Sequence, residues 1–322
     1  MRPNKIPVTV ISGFLGAGKT TLVNHLIRQR PDERIGIIVN EYGEVGIDGL
    51  LIVANEQPVI EINNGCVCCT VRKDLSSAIL ELLDGERTKI DRLIIETSGL
   101  ADPAPVLQTF LAEPDLLERV ELDSVVTVVD ALHVHRHLGD EIVREQIAFA
   151  DVVVLNKITE ADDALAESTQ ARMRALNPAA QIVVADRAEV PADRLLGRRS
   201  FSLAHVLALE PDLLSGEDHD HEHDASIRST CIVTERALDA GRFDRWMNQL
   251  VQRDGARLLR SKGVLNFHSE PRQFHFHSVH MLLEASPGRP WTATEPRTSK
   301  LVFIGRDLDV EGLRSGLLDC VH

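Results

Sequence analysis

A doubly wound, mostly parallel α/β sheet followed by a smaller α+β domain is the fold class that the 322-residue sequence predicts. Three observations point there. In the first ~190 residues, short β-branched runs alternate with longer helical patterns, the signature of repeated β-α units. The short runs are almost continuously apolar, as strands covered on both faces must be. Past residue 208 the texture changes, first to a polar stretch without hydrophobic period and then to a strand-rich tail.

Strands are expected at Ile6–Ser12, Arg34–Asn40, Arg92–Thr97, Ser124–Asp130, Asp151–Asn156 and Gln181–Ala185, with helices at Thr20–Arg30, Thr70–Leu83, Glu141–Phe149 and Glu160–Leu176. The polar stretch Glu210–Ala225 holds Pro211, Ser215-Gly216 and an interleaved Asp/His run, and reads as an exposed linker. Beyond it, strands are expected at Ile227–Thr234, Ala256–Leu265, Phe274–Glu284 and Lys300–Gly305, with helices at Asp239–Arg253 and Val310–Leu318. The expected division is therefore a first domain at 1–208, a linker at 209–226 and a second domain at 227–322.

Composition narrows the function classes. Lys plus Arg number 35 against 49 Asp plus Glu, a net charge of −14, and aromatics make up 4% with a single Tyr. Such a surface repels nucleic acid and anionic lipid, and it lacks the rings on which bases stack. Neither a signal-peptide core nor a run of ~18 apolar residues is present, so a cytoplasmic location and no membrane partner are expected. Five cysteines are an odd count, and three of them, Cys66, Cys68 and Cys69, crowd into four positions. That spacing suits metal or redox chemistry in a reducing compartment better than a disulfide framework.

Gly13-x4-Gly18-Lys19-Thr20 lies between the first strand and the first helix, the full phosphate-loop pattern in its required context. Gly13, Gly16, Ala17, Gly18 and Thr21 would let backbone N–H groups face the phosphates at the positive end of the helix dipole. Lys19 would bridge the β/γ oxygens and the Thr20 hydroxyl would bind Mg²⁺. Glu96-x-x-Gly99 ends an apolar strand, where an acid near Mg²⁺ and a γ-phosphate-sensing glycine are expected. Glu41, Glu44 and Asp48 leave the second strand's carboxyl end and are candidates for Mg²⁺ or water positioning. Asn156-Lys157-Ile158-Thr159 resembles a guanine-reading Asn-Lys-x-Asp box with the acid replaced by Thr159. That loss weakens discrimination by a few kcal/mol in order of magnitude. Asp162 or Asp163 are the nearby acids, and GTP is expected over ATP.

Cys66-Val67-Cys68-Cys69 sits at a turn into a helix, whose N-terminal dipole favours thiolates. Three thiolates suit a soft or borderline cation such as Zn²⁺. Inert packing cysteines and a vicinal redox switch are the alternatives left open. His219, His221 and His223 in the linker are candidate accessory metal donors, against a solvated loop. His133, His135 and His137 would point one way in a strand and scatter in a helix. His275 and His277 fall in a strand pattern as surface or core residues.

Taken together, the motifs at 13–21, 40–48, 65–69 and 96–103, with Leu258–Gly263 and Leu301–Gly305, resemble the CobW-like metal-handling GTPases along nearly the whole chain. The resemblance implies Mg-GTP hydrolysis, a divalent metal at the cysteines and delivery to a client metalloprotein. Catalytic roles would fall to Lys19, Thr20, Glu41 and Glu96. GTP would order the loop around Glu41–Asp48 and hydrolysis would relax it, altering metal affinity or client docking. No arginine finger is assignable, so slow intrinsic turnover is expected, raised by a partner or by homodimerisation. A non-catalytic metal buffer or sensor and a redox-sensing NTPase are the rival readings.

Overall fold

The computed structural model describes residues 5–41, 59–63, 68–84, 90–198, 227–292 and 294–322. The chain divides into two compact units, one formed by Met1–Met173 with Ala180–Phe201, the other by Arg174–Ala179 with Ser202–His322.

In the first unit, seven strands run parallel: β1 (Ile6–Ser12), β2 (Ile35–Glu41), β3 (Val59–Asn63), β4 (Arg92–Glu96), β5 (Val120–Asp130), β6 (Val152–Asn156) and β7 (Gln181–Val184). Their spatial order is β3-β2-β4-β1-β5-β6-β7. The helices are α1 (Lys19–Gln29), α2 (Cys68–Asp84), α3 (Ala104–Ala112), α4 (Pro114–Arg119), α5 (Glu141–Ala148) and α6 (Asp163–Leu176), the last belonging to this unit through Met173. Every residue of β4 and β6 is buried, which is why these strands read as unbroken apolar runs. Helix α1 turns Leu22, Val23, Leu26 and Ile27 onto Ile11, Ile37, Ile94 and Val128 of the sheet. Each such side chain contributes about 1.5–3 kcal/mol when fully buried.

Because all seven strands point the same way, their carboxyl ends form one edge. The chain visits β2 and β3 before returning to β4 beside β1, then crosses to β5 on the other side. That reversal makes β1 the topological switch point, where open α/β sheets bind their ligands. The opposite edge is held by charge. Arg92 donates to Asp123 at 3.1 Å and to Glu33 at 3.4 Å, and Gly197 N donates to the same Asp123 carboxylate at 2.6 Å.

The second unit is a five-stranded sheet in the order β11-β10-β9-β12-β8. Its strands are β8 (Ile227–Thr234), β9 (Leu258–Leu265), β10 (Arg272–Val279), β11 (Leu282–Pro290) and β12 (Ser299–Arg306), all paired antiparallel. Helices α7 (Ala240–Asp254) and α8 (Val310–Asp319) cover one face. Phe243, Met247, Leu250 and Val251 recur at helical spacing along α7 and are buried. Phe243 meets Trp246, Phe267 and Phe276 edge-on at 5.7–5.8 Å. The Asp239 side chain caps α7 by accepting from Arg242 N at 2.7 Å.

Several details differ from the sequence expectation. The strand expected at Phe274–Glu284 is a hairpin of β10 and β11, turning at His280 with a φ of 50°. Strand β5 begins at Val120 rather than Ser124, and α6 begins at Asp163, because Asp162 caps it. Strand β3 and helices α3 and α4 were not expected. The linker Glu210–Ala225, with His219, His221 and His223, lies outside the described residues, as do Glu44, Asp48 and Cys66. No helix among the described residues is long and apolar enough to cross a membrane.

Candidate active site

The loop leaving β1 wraps the start of α1. Gly18 sits at the helix N-terminus with a φ of 107°, and no side chain caps that end. The positive end of the α1 dipole there suits an anion. A left-handed φ disfavours any side chain here, and a Cβ would also come within 2.6 Å of Asn156 Nδ2. Lys19 is buried and its Nζ donates to Phe14 O at 3.3 Å across the loop. Thr20 donates its hydroxyl to Glu96 Oε1 at 2.7 Å, joining the helix start to the end of β4. Thr21 is exposed on the next residue of the helix.

Glu96 is only 2% exposed, so its carboxylate lies beneath the phosphate loop rather than in solvent. In register it sits beside Ile11 of β1 and Val39 of β2. Glu41 therefore leaves the sheet two residues further along the neighbouring strand, at its carboxyl end. Gly99 follows three residues later, inside the turn that Ala101 N closes on Ser98 O. A Cβ there would meet Leu15 N at 2.7 Å, so only glycine allows this backbone to lie against the phosphate loop. Gln146, buried in α5, donates to Gly99 O and Ala101 O, both at 3.1 Å, and pins the segment from behind.

The other flank is built by β5, β6 and the loop after β7. Asn156 is 2% exposed and makes a clamp: its Nδ2 donates to Ala17 O at 2.8 Å and its Oδ1 accepts from Ala188 N at 2.7 Å. Lys157, left-handed at φ 60°, donates to Asp130 Oδ2 at 2.7 Å, with His133 Nδ1 3.0 Å from the same oxygen. Burial pushes the Asp130 carboxyl up, but the hydrogen bonds from Lys157 and His133 outweigh it and hold the group below its ordinary range. A cavity of about 280 Å³ opens between Phe14, Leu15, Ala17, Asp130, His137 and Lys157. Arg187 and Ala188 are also left-handed, at φ 48° and 57°; such non-glycine residues each cost roughly 1–3 kcal/mol and persist where surrounding contacts over-determine them.

Cys68 and Cys69 are the first two residues of α2, the helix that follows β3. The backbone thus places both cysteines at a helix start on the sheet edge that carries the phosphate loop. His133 and His137 flank a 3₁₀ turn, Val134–Arg136, and diverge: His133 bonds Asp130, while His137 bonds Asp140 at 3.1 Å and meets the Phe14 ring at a tilt, 4.6 Å between centroids. Among the described residues no three His, Cys, Asp or Glu side chains come together to hold a metal. Cys320 is in the second unit, where burial raises its thiol to about 11 and makes it a poor nucleophile or ligand. The roles of Asp130 and Gln146 were not anticipated. Asp130 carried a usable signal, an acid at the carboxyl end of an apolar strand, whereas Gln146 carried none.

The nucleotide-binding domain described as CobW/HypB/UreG matches residues 7–184. The chain belongs to this family. A second match, to the cobalamin synthesis protein CobW C-terminal domain, covers residues 227–321. Relatives of this CobW/HypB/UreG member include the zinc chaperone YjiA of Escherichia coli, 33% identical over 317 residues, spanning 97% of this chain and 98% of that protein. The zinc chaperone CobW of Pseudomonas aeruginosa is 33% identical over 352 residues, spanning 97% and 91%. A crystal structure of the Zn(II)-bound YjiA GTPase from E. coli superposes with a TM-score of 0.78 and 28% identity, covering 99% of this chain and 100% of that one. The protein is a P-loop nucleoside triphosphate hydrolase.

Proposed function

We propose that the chain is a GTP-hydrolysing metallochaperone that holds zinc as cargo at Cys66, Cys68 and Cys69 and passes it to a client metalloprotein. The observation that carries this reading is topological. Glu41 and Asn63 are register partners at the ends of β2 and β3, and Cys68 opens the helix after β3. The chain between Glu41 and Asn63 therefore leaves the nucleotide edge and returns to it just before the cysteines. A change in that segment on γ-phosphate loss would be felt at the metal site. The zinc chaperone names of the relatives support the cargo, and thiolate at a helix start suits it chemically.

In this reading Lys19 and the N-terminus of α1 bind and orient the β- and γ-phosphates. The donors beside them fit Mg²⁺, since Thr20 and Glu96 are hard oxygen ligands held 2.7 Å apart. Mg²⁺ when bound neutralises charge on the phosphate oxygens. Gly99 gives the γ-phosphate a backbone N–H, and Glu41 positions water from the end of β2. Accessory metal donors in the linker would be His219, His221 and His223.

The test is a zinc titration of the whole protein with GTP, with GDP and without nucleotide, alongside Cys68→Ala. Nucleotide-dependent affinity that Cys68→Ala abolishes is expected, with slow hydrolysis retained. Equal zinc affinity in all three states, with hydrolysis indifferent to zinc, overturns the switch.

A further inference from the structure

We propose that Asp186 is the residue that selects the base, taking over from the acid that Thr159 displaced. This rests on the GTP reading above and deepens it. The two aspartates nearest in sequence are otherwise engaged or misplaced. Asp162 Oδ1 accepts from Leu165 N at 2.8 Å and Asp162 O from Ala166 N at 2.9 Å, so this residue is the cap of α6. Asp163 is the exposed first residue of that helix. Asp186 instead reaches across from the loop after β7, and its Oδ1 accepts the Thr159 hydroxyl at 2.8 Å. The threonine that removed the acid from the Asn-Lys-x-Asp position therefore holds another acid beside it. The second oxygen of Asp186 takes no hydrogen bond from any described residue, and the side chain is half-buried.

Its location follows from the clamp. Asn156 binds the phosphate loop at Ala17 O and the Asp186 loop at Ala188 N. Glu189 N closes a turn on Asp186 O at 2.9 Å, and Arg187 and Ala188 keep left-handed backbones inside it. Asp186 is thus fixed two residues from a group tied to the phosphate loop, at the carboxyl ends of β6 and β7. A nucleotide with its phosphates on that loop extends its base along this edge. Guanine presents adjacent N1–H and N2–H donors, which one carboxylate accepts together. Adenine places a ring acceptor there, and a carboxylate facing it repels.

Asp186→Asn reverses half of this complementarity, because a carboxamide can donate to the C2 carbonyl of xanthine. Steady-state hydrolysis of GTP, ATP and xanthosine triphosphate by the full chain tests the assignment. The expected result for Asp186→Asn is a KM for GTP raised about tenfold or more, kcat little changed, and preference shifted to xanthosine triphosphate. Thr159→Val keeps the carboxylate but releases it, and should raise the KM for GTP less, without the xanthine gain. Asp162→Asn should leave base preference as it is. An unchanged GTP to xanthosine triphosphate ratio in Asp186→Asn, equal losses for all three nucleotides, or a preference switch in Asp162→Asn overturns the proposal. Should Asp186→Asn not fold, Thr159→Val decides: an unaltered KM for GTP sinks the idea. Failure of zinc coupling alone would remove the metallochaperone reading and leave this one standing.

Discussion

At the residue scale, single side chains decide whether the nucleotide edge is a site or merely a sheet end. Asn156 illustrates this, since one buried amide holds the phosphate loop and the loop after β7 in fixed relation. Asn156→Ala leaves Ala17 O and Ala188 N without that partner in a buried place, a loss of about 1–3 kcal/mol. The expected outcome is a lower thermal midpoint and a raised KM for every nucleotide, regardless of base. An effect confined to GTP would instead make Asn156 a base reader. Gly99→Ala separates a different step. Its Cβ would press on Leu15 N at 2.7 Å and push the Gly99 segment off the phosphate loop, so kcat should fall at least tenfold. Unchanged kcat in Gly99→Ala, measured at saturating GTP, would exclude Gly99 from the reaction.

At the element scale, strand ends carry the site, and the charged cluster ending β5 and β6 should give a pH signature. The Asp130 carboxyl is held below its ordinary value of 3.8 in the folded protein, while the unfolded chain keeps that value. Unfolding in acid therefore takes up a proton. The stabilisation is present above 3.8 and is lost as pH falls through the lower folded value. Thermal midpoints of wild type and Asp130→Asn should differ at neutral pH and converge in strong acid. A gap that stays constant from pH 7 down to about 3 would mean that Lys157 and His133 do not hold the carboxylate.

The same elements show what a sequence reveals. Strands β1, β4, β5 and β6 were legible because burial on both faces demands continuous apolar runs. The hairpin of β10 and β11 was not, because its turn at His280 and Met281 contains neither glycine nor proline and the apolar pattern runs on. Strand β3 is only five residues long, and its Val-Ile-Glu-Ile-Asn run lacks the continuous apolar character of its neighbours. In the site, the phosphate loop was legible because its chemistry is local. Asp186 was not, since a contact between residues 159 and 186 exists only once β6 and β7 are aligned.

For the whole molecule, two cores imply two stability ledgers. The core around Leu22, Ile37 and Ile94 belongs to the first unit, and that around Phe243, Leu301 and Phe303 to the second. Units with their own cores can unfold separately. Ligand that binds only the folded first unit stabilises it by about 2.7 kcal/mol at a hundredfold excess over Kd. For a unit of this size, that corresponds to a rise of roughly 5–10 °C. Leu301→Ala empties a fully buried position of the second unit and should cost about 2–5 kcal/mol there. Differential scanning calorimetry should therefore show two transitions. Mg-GDP should move one of them upward, Leu301→Ala should move the other downward, and the two shifts should add when combined. A single transition that answers to both perturbations would show that the units unfold as one.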